Sequence, residues 1–110
     1  MASTAVAAIK SLCGILNTEK GKDFDVLIAG HSDNIPIQKS TTREKHPTNL
    51  HLSAHRAISV FNVMRNNNIE PERMSVRGFG EYRPIAENLP NNGGNELNRR
   101  VEIYIIAKGT

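Results

Sequence analysis

Helical and strand periodicities alternate along this chain of 110 residues, and that alternation restricts its folds more than any other feature. Ile9, Leu12, Cys13 and Leu16 fall at i, i+3, i+4 and i+7, one apolar helix face, and predict a helix over 4–17. Val26 to Ala29 is an unbroken apolar run inside Phe24–Gly30, expected to be a strand covered on both faces. Ala57, Val60, Phe61 and Met64 repeat the helical spacing and predict a helix over 53–67. Ser53 is its expected N-cap, and Asn66-Asn67-Asn68 its left-handed stop. Met74–Phe79 and Val101–Ile106 alternate as half-buried strands. The order α-β-α-β-loop-β puts the chain in the α/β class, a mixed sheet with helices packed on it. The strands flanking the second helix should run parallel, joined by a right-handed crossover.

Two polar connections, 34–51 and 80–97, interrupt this pattern with Pro, Asn and Gly. Connections that long are uncommon in small domains and often carry function. Low local stability, and hence mobility, is expected for 34–49 and 86–97.

Composition narrows the function classes. A mass of 12.2 kDa suits a single domain, and 38% hydrophobic against 23% charged residues excludes a disordered chain. The lone cysteine, Cys13, excludes an internal disulfide and a multi-cysteine metal site; on the first apolar stripe it reads as a buried structural thiol. No apolar run approaches the ~20 residues that span a bilayer. Residues 1–10 lack the charged start and long apolar core of a secretory signal. The net charge of +3 admits an anionic partner. Nucleic acid is not expected, because stacking aromatics are not interleaved with clustered basic residues.

Two side chains stand out. Asp33 follows the end of the apolar strand, where ligands gather in open α/β sheets. Arg56, counted from a cap at Ser53, would sit in the first helical turn, where a cation opposes the helix dipole. An anion docked at that helix end would explain it, and a solvated surface arginine is the plainer alternative. Asp33 and Arg56 facing one crevice would suit a zwitterion, carboxylate for ammonium and guanidinium for carboxylate. A direct salt bridge between them is the competing reading. His51 and His55 are four apart, with His31 and His46 elsewhere. With His51 ahead of the expected cap, no metal site is expected, nor a Ser-His-Asp catalytic order. Gly78-Phe79-Gly80 lacks the third glycine of a dinucleotide fingerprint and reads as a turn.

Gly30-His31-Ser32-Asp33, then Asn49-Leu50-His51-Leu52-Ser53-Ala54-His55-Arg56-Ala57, then Arg77 to Glu81 through Pro84-Ile85 to Asn98-Arg99-Arg100-Val101-Glu102 resemble the OmpA-like peptidoglycan-binding domain in order and spacing. The resemblance covers residues 5–106. Gly30 to Ile37 and Gly80 to Pro84 are closer to the flagellar stator members than to the porin-type members. Two departures are Ser32, where most members have threonine, and Leu50-His51, where stator members have Trp-Glu.

The resemblance implies a periplasmic, non-catalytic module without cofactor or metal. Such a module grips the diaminopimelate of cell-wall stem peptides and anchors a membrane protein to peptidoglycan. It implies Asp33 and Arg56 as the ligand-holding pair, with Asn34, Asn49 and Leu52 beside them. Ser53, Arg99 and Arg100 would be supporting residues. The family's first strand has no counterpart ahead of the first helix, so a missing N-terminal segment carrying the membrane anchor is expected. A homodimer is a further candidate assembly. An outer-membrane OmpA-type protein or lipoprotein is the alternative within the class, and a wall-peptide hydrolase the alternative outside it.

Overall fold

The computed structural model describes residues 3–37 and 46–109. Helix α1 (Ser3–Leu16) leads through a short 3-10 turn, Gly21–Asp23, into strand β1 (Phe24–His31). Helix α2 (Asn49–Asn66) follows, then a 3-10 turn at Pro71–Arg73, strand β2 (Met74–Gly78), a 3-10 turn at Glu96–Asn98 and strand β3 (Arg100–Ala107). The sheet order is β2-β1-β3, with β2 parallel and β3 antiparallel to β1. The expected class, a mixed sheet with helices on it, is the one observed.

Both helices pack on one face of the sheet. Ile9, Cys13 and Leu16 of α1 and Ala57, Val60 and Met64 of α2 meet Val26 and Ile28 of β1, with Leu12, Phe61, Val76, Val101 and Ile103 packed around them. Both helical stripes therefore do what their spacing predicts. The strand expectation holds in part: the face of β1 away from the helices is buried at Ala29 and His31 and only half-buried at Leu27. Its alternate residues point away from the helices, as the two-residue side-chain period requires. Leu27 stands there opposite an exposed Tyr104. Central position in the sheet, between two partner strands, accounts for the continuous apolar run.

The start of α2 is a second correction. The N-cap is Thr48, whose hydroxyl accepts the His51 N–H at 3.3 Å, so the helix begins a turn ahead of Ser53. The expected connection 34–51 accordingly ends at Thr48, and its basic-polar stretch 38–45 lies outside the described residues. The other end matches its expectation: Asn67 closes the helix and Asn68 takes φ +69°.

Arg73 is the buried staple of this core. Only 6% exposed, it donates to the carbonyls of Leu16, Gly21 and Phe24 and to Glu70 Oε2. It thereby ties the end of α1 to the start of β1. Nothing in the hydrophobic pattern points to it.

Candidate functional site

The site forms where β1 and β2 end against α2. That approach is close because two strand positions are glycine. A Cβ on Gly30 would lie 1.8 Å from the Ser53 carbonyl oxygen, and one on Gly78 within 2.9 Å of the Ala54 backbone. The strand exits are then knitted together: Ser32 N–H donates to Gly80 O at 2.8 Å and Phe79 N–H to Gly30 O at 3.0 Å. Ser53 is fully buried, donates to Leu50 O at 2.8 Å and accepts the Gly80 N–H at 2.8 Å. It supports the site from inside the helix. The expectation that it caps the helix is wrong, since a residue inside α2 has its own N–H already taken up by the helical ladder.

Asp33 lies two residues beyond β1 and is 4% exposed. Its Oδ2 accepts Arg99 Nη1 at 2.8 Å, and its Oδ1 the Ile35 N–H at 3.3 Å. Gly94, at φ +70°, closes over it: a Cβ there would fall 2.4 Å from Oδ2. Asn49 Nδ2 donates to the carbonyls of Asp33 and Ile35 at 3.2 and 3.0 Å, tying the first turn of α2 to the segment after β1. Asn34 Oδ1 and Ser32 Oγ are buried with no hydrogen-bond partner among the described residues.

Arg56 is half-buried seven residues after Asn49, well past the first turn, so the dipole argument for it fails. Its Nη1 reaches His31 O at 3.5 Å, and among the described residues it pairs with no carboxylate. Burial and then the neighbouring Arg99 charge push its pKa below the usual arginine value, while Asp33 pulls the other way. Arg56 thus feels both Arg99 and Asp33. The salt-bridge alternative is corrected too: Asp33 bonds Arg99 instead. Leu52, half-buried, precedes Arg56 by one turn on the same face of α2.

Arg56, Arg99 and Arg100 help line a cleft of about 620 Å³ between α1, α2 and β3, together with residues such as Ile9, Val60 and Val101. Asp33 is not part of its wall. Arg100 donates to Asn98 O at 3.3 Å and Arg83 O at 3.1 Å. Asn98, fully buried, accepts from the Ile85 and Ala86 N–H groups and donates to Ala86 O and Asn88 Oδ1. It organises the loop that carries Gly94 and Arg99. Sequence reasoning quoted Asn98 in the Asn98–Glu102 motif without giving it a role, and gave none to Gly94 in its Asn-Gly-rich turn.

His31 lies beneath the site, 1% exposed, stacked on Phe79 at 5.1 Å and bonded through Nε2 to Glu102 Oε1 at 2.6 Å. Burial, followed by the Arg100 charge, lowers its pKa against the pull of Glu102. The neutral ring therefore donates Nε2–H to the carboxylate. No three His, Cys, Asp or Glu side chains surround a common point among the described residues.

The chain matches the OmpA family model over residues 3–99. It is 36% identical over 86 residues to Motility protein B of Bacillus subtilis, which covers 77% of this chain and 31% of that protein. The chain thus spans less than a third of that relative. In architecture it is similar to the C-terminal domain of Helicobacter pylori MotB, with a TM-score of 0.80 and 22% identity over 99% of this chain and 78% of that one. It is also similar to the cell wall anchor of the T6SS from Pseudomonas aeruginosa, with a TM-score of 0.77 and 29% identity over 98% and 70% of the two chains. Fold, motif order and family match agree, and the chain belongs to the OmpA family.

Proposed function

We propose that this domain binds peptidoglycan without catalysis, gripping the diaminopimelate of stem peptides, and holds a membrane protein of the flagellar stator type to the wall from the periplasm. The observation that carries the reading is Arg56. A half-buried guanidinium, beside a buried carboxylate and a second guanidinium, has no acidic partner of its own among the described residues. A ligand carboxylate would supply that partner in the planar two-point geometry that arginine favours. The ligand ammonium would take the place of Arg99 on Asp33 Oδ2, since Arg99, with 39% of its side chain exposed, can swing into solvent. Asn34 Oδ1 and Ser32 Oγ offer further polar groups in need of a partner.

The name of the T6SS cell wall anchor supports a wall-anchoring role, and the name Motility protein B supports the motility context. A non-catalytic reading is supported by the engaged state of the nearby groups. Ser53 Oγ is saturated inside the helix, and His31 Nε2 is bound to Glu102. The similarity to outer membrane porin F of Pseudomonas fluorescens, 34% identical over 84 residues, favours the second reading, an outer-membrane wall anchor. Both use the same site.

Co-sedimentation with purified sacculi tests the reading. The chain should pellet with them, while Asp33→Ala and Arg56→Ala should stay in solution with unchanged melting curves. Calorimetry should show that a stem peptide with free diaminopimelate binds more than tenfold tighter than one with lysine or with an amidated carboxylate. That ratio corresponds to about 1.5–3 kcal/mol for a charged hydrogen-bonded contact. Equal affinity for the three peptides would overturn the diaminopimelate clamp, and retention of both variants on sacculi would overturn the site.

A further inference from the structure

The face of the sheet away from the helices carries a second cavity, of about 590 Å³, which the clamp does not use. Leu27, Phe79, Tyr104 and Ile106 give it apolar lining, and Arg77 and Arg83 line it with them. The strand registers explain the grouping. Tyr104 lies beside Leu27, and one row further along Arg77 and Glu102 flank Ala29. Arg100 alone lines both this cavity and the cleft beside Arg56, so a ligand here leaves the clamp open.

The charges of this face do not cancel. Glu102 is the one acid in the lining among the described residues, and it is already engaged. It is bonded to His31 Nε2 at 2.6 Å, accepts the Tyr104 hydroxyl at 3.0 Å and lies 3.4 Å from Arg100 Nε. Arg100 spends Nη1 and Nη2 on the Asn98 and Arg83 carbonyls. The Arg83 guanidinium lies over the Phe79 ring, 4.2 Å from its centroid, and Phe79 stacks in turn on buried His31. Stacking of this kind holds the guanidinium plane and leaves its N–H edges free. Among the described residues, neither the Arg77 nor the Arg83 guanidinium has a hydrogen-bond or carboxylate partner. His31 feels the charges of both Arg100 and Arg83, and both lower its pKa.

We propose that this cavity binds a phosphate monoester with an apolar body, its phosphate held by Arg77 and Arg83 and its apolar part against Leu27, Tyr104 and Ile106. Two unpaired guanidiniums bring two positive charges and two donor forks. A phosphate monoester answers them with three acceptor oxygens and close to two negative charges at neutral pH, where a carboxylate has two oxygens and one charge. An apolar hollow with a few polar groups is the usual form of a small-ligand site, and its volume falls within the roughly 300–1,000 Å³ of such sites. The same chemistry is offered by a lipid head group and by a soluble ester.

Calorimetric titration of the chain with phenyl phosphate tests this. One saturable site is expected, with at least about tenfold weaker binding of benzoate and of inorganic phosphate. Arg77→Gln and Arg83→Gln should each weaken phenyl phosphate binding by at least about tenfold, and both arginines are exposed, so the variants should melt as the wild type does. Amide NMR shifts during the titration should fall on Leu27, Arg77, Phe79 and Tyr104 and spare Asp33 and Arg56. Flotation with phosphatidic acid vesicles, lost in the Arg77→Gln, Arg83→Gln double variant, would assign the ester to a lipid; saturation by phenyl phosphate without flotation would assign it to a soluble molecule. No saturable binding, equal binding by the double variant, or shifts confined to the clamp would overturn the site. Equal affinity for benzoate would overturn the choice of phosphate, and equal affinity for inorganic phosphate the part given to the apolar lining.

Discussion

Gly30→Ala should unfold this domain more readily than any loss of a charged side chain in the ligand clamp. The added Cβ would lie 1.8 Å from the Ser53 carbonyl oxygen and 2.7 Å from its carbon. Non-bonded atoms rest at about 3.5 Å, so the two backbones must part by about 1.7 Å. The obstacle is main chain, and no rotamer change can relieve it. Helix α2 would lift from the sheet with Ala57 and Met64, both fully buried, and would strain the buried Ser53–Gly80 hydrogen bond. Overpacking that side chains can absorb costs about 1–3 kcal/mol, and a lost hydrogen bond about 1 kcal/mol more. Together these give about 2–4 kcal/mol, and the main-chain clash puts the cost at the upper end, about 3–4 kcal/mol. With an unfolding entropy of about 2.1 cal/mol/K per residue, that lowers the melting temperature by roughly 15 °C. Gly14→Ala is the control. Nothing lies within 4 Å of a Cβ there, on the exposed side of α1, so it should gain about 0.5–1 kcal/mol from helix propensity. Thermal melts by circular dichroism with urea titrations would measure both. A Gly30→Ala domain as stable as wild type, or a Gly14→Ala domain equally damaged, would refute the steric account.

Arg73→Lys should cost about 3–5 kcal/mol in urea unfolding, because an ammonium cannot reach the Leu16, Gly21 and Phe24 carbonyls together and leaves buried acceptors unpaired. For His31 the folded pKa lies below the ordinary 6.5, so the unfolded chain takes up a proton that the folded one refuses. Its stability contribution is complete above about pH 6.5 and is lost as pH falls through the folded pKa; urea midpoints across that window should slope less in His31→Gln. Burial raises the Cys13 pKa, so a thiol reagent should react with the native domain only as fast as it unfolds, and immediately in denaturant.

The fold was legible wherever one period dominated. The stripes Ile9–Leu16 and Ala57–Met64 bury the side chains their spacing selects, and β1 sits at the centre of its sheet as its apolar run suggests. The start of α2 was less legible because Ser53 has the chemistry of a cap and is used for something else. Its hydroxyl faces Gly80 across a gap that only glycine at position 30 permits, a contact between residues far apart in sequence. That one shift took Arg56 out of the first turn and put His51 into the helix. Arg73 and Asn98 were illegible for a related reason. Each satisfies backbone groups brought together by the folded chain, and no periodicity records such a need.

The two kinds of arginine explain why the clamp should be separable from stability. Arg73 is enclosed and spends its guanidinium on carbonyls of α1, the following turn and β1, so its loss leaves buried acceptors without donors. Arg99 keeps 39% of its side chain in solvent while it bonds Asp33, and a pair so exposed on one side contributes little to folding. Arg56 makes one long contact, to the His31 carbonyl. Backbone sets the positions of the proposed pair and of Arg99 beside it: the β1 exit for Asp33, the glycine-permitted seat of α2 for Arg56, and the Asn98-organised loop for Arg99. Removing a clamp side chain therefore removes a ligand contact and leaves its supports in place. Moving a support, as Gly30→Ala does, displaces the clamp and the core together.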